Sequence, residues 1–182
     1  MDHTLLLKIA RDSIAEELSG KSIIDKTSLL KEFPTIFEKG AAFVTLNKER
    51  ALRGCIGSLV AHRALIDDLI ANAKAAAFDD VRFVPLAQDE FREIKIEVSL
   101  LSEPKELKYT SIEDLKEKIV PFEDGVILTH HGKRATFLPQ VWEQLNEFEM
   151  FFAHLGQKAG LGADVLKSHP EISTYHVESF SE

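Results

Sequence analysis

The sequence contains one cysteine, Cys55, so the chain has no partner for a disulfide within itself. The fold therefore does not depend on an oxidising compartment. One thiolate is also too few for a cysteine-bound iron–sulfur cluster, which needs several. No spacing of Cys, His, Asp and Glu matches a standard metal site, and we therefore predict no metal centre.

Long apolar runs are missing as well. No stretch approaches the roughly 20 apolar residues that a helix needs to cross a bilayer. The first eight residues carry neither a basic leader nor a long apolar segment, so we expect no signal peptide. These absences lead us to expect a cytoplasmic protein with no membrane partner.

The chain has no excess of positive charge, because its formal net charge is −8 at pH 7. Its Lys and Arg residues are scattered and mostly flanked by Glu or Asp. An acidic chain without a basic patch is not attracted to phosphate groups, so a nucleic acid partner is not expected. Glycine-rich nucleotide loops and the Gly-x-Ser-x-Gly elbow are absent too, and the cofactor therefore stays unknown.

The first half of the chain mixes helical and strand periodicities. The clearest strand alternates Ile94, Ile96, Val98 and Leu100 with polar residues, which is the pattern of a half-buried strand. The predicted elements are a helix over residues 6–18 ending at Gly20, a connector with Pro34, a hairpin of residues 41–46 and 51–57, a helix over residues 63–78 and a strand over residues 93–101.

The second half continues in the same mixed manner. Ser111 and Asp114 resemble a capping box at the start of a short helix. The further predicted elements are a hairpin of residues 125–130 and 134–138, helices over residues 141–145 and 149–159, and a last strand over residues 172–180. Because helices and hairpins are intermixed, we predict an α+β fold with mixed or antiparallel sheets flanked by helices.

The segment Leu52–Gly57, which we call the cysteine motif, holds Cys55 between two glycines. Glycines weaken a strand and usually mark a bulge or a close approach by another group. On a regular strand Arg53 and Cys55 share one face, and a nearby guanidinium would favour the thiolate and could hold an anion. The alternative is an inert buried cysteine, which spacing alone favours, because free cysteines are among the most buried residues.

Other polar residues are candidates for the same site. Asp79, Asp80 and Arg82 cluster at a helix exit, where the plain interpretation is a solvated turn with an internal ion pair. Glu97 lies on the polar side of a strand, and if that side is covered it needs a partner such as Arg53 or Arg82. Otherwise Glu97 is an exposed strand glutamate.

His130 and His131 flank the tightest predicted turn. A histidine there could act as a general base, which makes His130 a weak catalytic candidate. Two adjacent histidines on a strand point to opposite faces, so they chelate one metal poorly.

Short motifs are spread over nearly the whole chain. They are 43–46, the cysteine motif, Asp79 with Arg82, Phe83 and Pro85, 96–102 with Pro104, 125–126, 135–142 and 158–161. Taken together, these motifs resemble those of the AMMECR-one family, whose prokaryotic members are protein A of the AmmeMemoRadiSam system. The order and spacing of the motifs make the resemblance specific. One departure is the turn 47–50, which lacks the glycine that the family often has there.

The resemblance implies a single domain over residues 1–182 with two subdomains, the smaller one inserted at about residues 47–85. It also implies two partners: a Memo-like protein and a radical S-adenosylmethionine protein. The family's reaction is unsettled, and the cysteine motif is regarded as its functional site. The resemblance thus favours Cys55 as a functional residue over an inert one.

Three hypotheses follow. In the first, the chain is an accessory or ligand-binding component of a modification system, and Arg53 holds an anionic small molecule beside Cys55. The remaining lining residues would be Gly54, Gly57, Asp79, Arg82, Glu97 and Gln140, with His130 opposite. In the second, Cys55 is the nucleophile of a stand-alone enzyme with a histidine as base. In the third, the chain is a protein–protein adaptor and Cys55 is buried and inert.

Overall fold

The structure is a computed structural model that describes residues 2–182, and the chain divides into two units. Unit 1 comprises the chain up to Leu101 together with Glu178–Glu182, and unit 2 comprises Ser102–Val177. The helices are α1 (His3–Ser19), α2 (Lys26–Glu32), α3 (Leu65–Phe78), α4 (Ile112–Lys118) and α5 (Phe148–Lys158). The strands are β1 (Lys39–Lys48), β2 (Ala51–Gly57), β3 (Arg63–Ala64), β4 (Ile94–Leu101), β5 (Lys105–Glu106), β6 (Gly125–His130), β7 (Lys133–Phe137), β8 (Glu171–Tyr175) and β9 (Val177–Ser181).

Unit 1 contains a sheet with the strand order β2-β1-β4-β9, and the short β3 also pairs with β1. Strands β1, β2 and β4 pair antiparallel. Alternate residues of β1 and β4, such as Val44 and Val98, are fully buried in one core with α1 and α3. The opposite face of the sheet carries the polar residues of the same strands, as period-two alternation requires.

Unit 2 has its own four-stranded sheet, in the order β5-β8-β6-β7. Its core is aromatic, with Trp142 and Phe151 fully buried and stacked in parallel with their ring centroids 3.6 Å apart. The indole nitrogen of Trp142 donates a hydrogen bond to the carbonyl of Asp124 at 3.0 Å, so this buried polar atom is satisfied. Two sheets with helices beside each confirm the predicted α+β class.

Helix α1 begins and ends where capping chemistry allows. The Asp2 carboxylate accepts a hydrogen bond from the backbone N–H of Leu5, and Gly20 follows the helix with a left-handed φ of 68°. That conformation costs a glycine little, because it has no Cβ. The predicted helix and its stop at Gly20 are confirmed.

Three elements differ from the sequence prediction. The connector contains α2, a seven-residue helix with no buried residue, which therefore lacks the apolar periodicity that would reveal it. The helix predicted over residues 141–145 is a 3-10 helix, Pro139–Glu143, which begins at a proline that fits a first turn. The predicted last strand is two strands, β8 in the sheet of unit 2 and β9 in the sheet of unit 1.

Residues 47–85, over which the resemblance implies a smaller subdomain, all lie in unit 1. Strand β2 pairs with β1 along its length, and α3 packs on that same sheet, so this segment shares the core of its neighbours. Within the part of the chain that the structure describes, no helix combines the length and apolar character needed to cross a membrane.

Candidate functional site

The cysteine motif forms β2, which lies at the edge of the sheet in unit 1. The register between β1 and β2 shifts by one residue, because Leu46 pairs with Gly54 while Asn47 pairs with Leu52. Arg53 is thus the extra residue of a β-bulge, which re-aims side chains and breaks the regular alternation. Because of the bulge, the side chains of Arg53 and Cys55 are not placed on one face of the sheet by strand alternation, as the sequence predicted.

Arg53 is directed at the segment after α3. Its Nη2 donates to the Glu90 carboxylate at 3.0 Å and to the carbonyl of Val84 at 2.9 Å, and only 11% of its side chain is exposed. Hydrogen bonding from Arg53 is the main reason that the pKa of Glu90 falls to about 2. The charge of Arg53 is thus matched by Glu90, whereas its buried Nη1 has no hydrogen-bond partner among the described residues.

Cys55 is half-buried and held through three contacts within unit 1. Its Sγ accepts a hydrogen bond from the Thr45 hydroxyl at 3.2 Å across the pair of strands. Its backbone N–H donates to the Asp80 carboxylate at 2.9 Å, and its carbonyl accepts from Arg82 Nη2 at 3.3 Å. The outward backbone groups of an edge strand are therefore satisfied by side chains at this residue.

Asp80 and Arg82 both bind the backbone of Cys55 and also pair with each other, with Arg82 Nη2 2.7 Å from the Asp80 carboxylate. Hydrogen bonds from Arg82 and from the N–H of Cys55 hold the pKa of Asp80 far below its usual range. The hydrogen bond to Asp80 in turn raises the pKa of Arg82. Asp80 is buried, whereas 53% of the Arg82 side chain is exposed. Asp79 is the exposed residue that ends α3, so Asp80 rather than Asp79 contacts the cysteine motif.

Glu97 lies on the same sheet face as Thr45 and Cys55. Thr45 of β1 is paired with Cys55 on one side and with Glu97 on the other, so the three residues form a row across three strands. Neither expected cation forms an ion pair with Glu97, since Arg53 pairs with Glu90 and Arg82 with Asp80. The reason is distance: Glu97 is two strands inward from β2, or about 10 Å at the usual strand spacing.

The glycines of the motif permit close packing. A Cβ on Gly54 would lie 2.1 Å from the carbonyl oxygen of Ala76 in α3, and a Cβ on Gly57 would lie 2.1 Å from the Phe43 ring. Both distances are far inside van der Waals contact. Gly54 thus lets α3 approach the edge strand, so the packing of unit 1 requires a glycine at this position.

The remaining predicted residues, His130 and Gln140, belong to unit 2. The His130 ring contacts that of His131, with centroids 4.0 Å apart, and Gln140 is exposed in the 3-10 helix. Within unit 1 the described histidines are engaged elsewhere: His3 stacks on Phe180, and His62 contacts the carbonyl of Val60. No group of three or more His, Cys, Asp and Glu residues able to hold a metal occurs among residues 2–182.

A buried polar network, which the sequence patterns did not predict, lies beside the motif. Asp68 of α3 is fully buried and accepts hydrogen bonds from the N–H of Ala42 at 2.9 Å, from the Ser58 hydroxyl at 2.6 Å and from Arg63 at 2.8 Å. Asn72, one turn later, donates to Asp68 at 3.0 Å and to the carbonyl of Ala42 at 2.9 Å. The signal in the sequence is that Asp68 and Asn72 stand four residues apart within the apolar stripe of a predicted helix, where polar side chains need partners.

Comparison with known proteins gives a consistent answer. The AMMECR1 family model matches residues 7–180. Protein SSO0193 of Saccharolobus solfataricus is 41% identical over 189 residues, covering 98% of this chain and 80% of that protein. A protein of Methanothermobacter thermautotrophicus is 36% identical over 176 residues, covering 96% and 90% of the two chains. The crystal structure of the uncharacterized protein PH0010 from Pyrococcus horikoshii is similar with a TM-score of 0.80 at 33% identity, covering 98% of this chain and 90% of that one. The chain therefore belongs to the AMMECR1 family.

Proposed function

We propose that this protein is an accessory, ligand-binding component of a modification system, acting with a Memo-like protein and a radical S-adenosylmethionine protein. The observation that carries the proposal is the row Cys55–Thr45–Glu97 on one face of the sheet. It presents a thiol, a hydroxyl and a carboxylate side by side on strands that are fixed by hydrogen bonds. Rigid strands are suited to binding, because little ordering is needed when the ligand arrives.

The contacts of Cys55 favour binding over catalysis by the thiol. A nucleophilic cysteine needs a base or a cation that activates it. Within unit 1 its Sγ is bonded to the neutral hydroxyl of Thr45. The two guanidinium groups near it are each paired with a carboxylate, Arg53 with Glu90 and Arg82 with Asp80. The stand-alone enzyme, in which a histidine activates Cys55, therefore has no support from this unit.

Arg82 is the better candidate for holding an anionic group of a ligand or partner. Its side chain is 53% exposed, while that of Arg53 is 11% exposed. The Asp80 carboxylate orients Arg82 through its Nε at 2.9 Å and its Nη2 at 2.7 Å. A guanidinium has five N–H donors, so this pairing leaves donors for a further acceptor.

The test is a titration of this chain with each of the two partner proteins from the same organism, followed by intact-mass analysis after incubation of all three with S-adenosylmethionine. We expect a complex, and we expect Cys55→Ser to bind within about threefold of wild type, because a hydroxyl can replace the thiol in a hydrogen bond. The mass of the chain should remain unchanged. A covalent adduct on Cys55 would instead identify a thiol nucleophile, and the absence of any complex would refute the proposed association.

A further inference from the structure

A cleft of about 580 Å³ opens in unit 1 on the polar side of the sheet, beside the turn that joins β1 to β2. Its walls come from the ends of β1 and β4, from that turn and from the end of β9. The volume lies within the range of pockets that hold small molecules. Apart from Ile96, which is fully buried, the lining residues are polar or charged. The cleft is thus suited to a small polar ligand.

Four charged residues of this cleft are unmatched. Within residues 2–182, Arg50 and Lys95 form no ion pair with a carboxylate, and Glu49 and Glu97 form none with a cation. The other two carboxylates of the lining are each paired with a cation from outside the cleft. Two positive and two negative groups are therefore left for a ligand, and this balance favours a ligand that carries both charges.

The strand register sets the spacing of these charges. Asn47 of β1 lies directly opposite Lys95 of β4, and Thr45 lies opposite Glu97. Lys95 and Glu97 thus share a face of the sheet two residues apart, or about 7 Å at the usual rise of a strand. A ligand that contacts both residues needs its charges well apart. An extended dipeptide spans about 7 Å, because each residue adds about 3.5 Å.

The turn that brings Glu49 and Arg50 to the cleft has a costly backbone conformation. Lys48 pairs with Ala51, so Glu49 and Arg50 are the two central residues of the hairpin turn, with φ of 52° and 67°. Positions with positive φ favour glycine or asparagine, because a Cβ is crowded there. Neither side chain forms an ion pair within the described chain that would offset this cost. Such conformations persist chiefly where the side chain has a function.

Other classes of ligand fit the cleft less well. Its carboxylates do not belong to a metal cluster, because residues 2–182 contain no group of three or more His, Cys, Asp and Glu able to hold a metal. The lining has no aromatic residue on which a nucleobase could stack. A pure anion would meet Glu49 and Glu97 as like charges, and a pure cation would meet Arg50 and Lys95.

We infer that this cleft binds a zwitterion of dipeptide size, with its carboxylate held by Arg50 and Lys95 and its ammonium held by Glu97 and Glu49. A guanidinium suits the carboxylate, because the two groups can form two parallel hydrogen bonds. This inference rests on the ligand-binding part of the proposed function, since Glu97 belongs both to the row that supports that function and to the cleft. It deepens that function by naming the class of ligand, and it requires neither partner protein.

The test is a calorimetric titration of the whole chain with alanyl-alanine, with its N-acetylated form, which lacks the ammonium, and with its C-amidated form, which lacks the carboxylate. We expect alanyl-alanine to bind with a Kd of about 1 mM or tighter, and each blocked form to bind about tenfold more weakly or worse. The reason is that a blocked ligand leaves charges of the cleft unmatched. Free alanine should also bind more weakly, because its charges are too close together to reach both Lys95 and Glu97.

Arg50→Gly removes the guanidinium without endangering the fold, because glycine suits the φ of 67° better than arginine does. It should lower the affinity for alanyl-alanine about tenfold, while the midpoint of urea unfolding stays level or rises. Glu97→Gln should lower the affinity for alanyl-alanine towards that for the N-acetylated form, because a partner of the ammonium is lost. The matched control is Lys31→Gln, which also removes one positive charge, from an exposed position on α2. It should bind as wild type does.

Equal binding of alanyl-alanine and its two blocked forms would refute a site for a zwitterion, and equal binding of free alanine would overturn the dipeptide size. Equal binding by Arg50→Gly and wild type would refute the assignment to this cleft. If alanyl-alanine does not bind while the chain still forms a complex with one of the two partner proteins, the inference fails and the proposed association stands. If alanyl-alanine binds as expected and neither partner does, the cleft is supported and the proposed association fails.

Discussion

At the scale of single residues, the cysteine motif divides into supporting and exposed parts. Arg53 and Gly54 face the interior, where Arg53 pairs with Glu90 and Gly54 lets α3 approach. Cys55 is half-buried with its thiol bonded to Thr45, and Arg82 covers the strand edge from outside. Residues that look alike in the sequence, such as Asp79 and Asp80, thus have different environments.

Substitution of Gly54 by alanine should destabilise unit 1. The added Cβ would lie 2.1 Å from the backbone oxygen of Ala76, which cannot move without displacing α3. We expect the free energy of unfolding to fall by about 2 kcal/mol, as is usual for overpacking. Urea unfolding followed by circular dichroism measures this. Leu52→Ala, at an exposed position of the same strand, should cost less than about 1 kcal/mol, and an equal loss in both variants would contradict the packing role.

The Arg53–Glu90 pair should make stability depend on acid pH. The pKa of Glu90 is lowered to about 2, chiefly by hydrogen bonding from Arg53, so the folded state favours the ionised form. The contribution is present above the ordinary glutamate pKa of about 4.3 and is lost as pH falls towards 2. We expect the stability of wild type to decline between pH about 5 and 2, and that of Glu90→Gln to decline less steeply. Parallel curves from denaturant titrations at each pH would show that Glu90 does not contribute.

At the scale of elements, α3 and the edge strand depend on buried polar groups as well as on apolar packing. Asp68 and Asn72 bind the backbone of β1 and the Ser58 hydroxyl, directly after the cysteine motif. Asp80, just past α3, binds the backbone of Cys55. The position of the motif is therefore set from both ends of the helix.

Asp68→Ala should be strongly destabilising, because it leaves the N–H of Ala42 and the side chain of Arg63 without their buried acceptor. The expected loss is about 3 kcal/mol, which is typical when one member of a buried hydrogen-bonded ion pair is removed. Thermal or urea unfolding provides the measurement. The neighbouring Asp67, whose side chain is 47% exposed, is the matched control, and Asp67→Ala should change stability by less than about 1 kcal/mol. Similar losses from the two variants would rule out the network as the cause.

At the scale of the whole molecule, residues 2–182 form two hydrophobic cores. One combines β1 and β4 with α1 and α3 in unit 1, and the other surrounds Trp142, Phe151 and Phe152 in unit 2. The chain leaves unit 1 after Leu101 and returns to it at Glu178. Unit 2 is therefore an uninterrupted segment, whereas unit 1 is built from two pieces.

A fragment of residues 102–177 should fold without the rest of the chain, because all the residues of its aromatic core lie within it. Trp142 is the sole tryptophan, so its emission reports on this core. We expect blue-shifted emission that moves to the red in one cooperative urea transition, with a stability of only a few kcal/mol for so small a domain. A fragment with exposed tryptophan emission in buffer would show that the core needs unit 1.

The sequence by itself determined the elements and the family. Strand β2 (Ala51–Gly57) and the bulk of α1, α3, β4 and α5 follow from hydrophobic periodicity and capping residues, because those signals depend on neighbours a few residues apart. The sequence did not predict α2, which has no buried residue, and it predicted one last strand where the structure has two, in different sheets. A helix that buries no side chain leaves no apolar period in the sequence, and local spacing does not say which sheet a strand joins.

Only the tertiary structure decided which polar groups meet. Arg53 pairs with Glu90, which is distant from it in the chain. Asp80, and not its neighbour Asp79, binds the backbone of Cys55, because the two side chains differ in orientation. Asp68 is buried, which its place in the sequence does not show. A bulge at Arg53 cancelled the alternation from which a shared face with Cys55 was expected. The sequence thus located the cysteine motif, and the register of β1 with β2 together with the approach of α3 decided what each of its residues contacts.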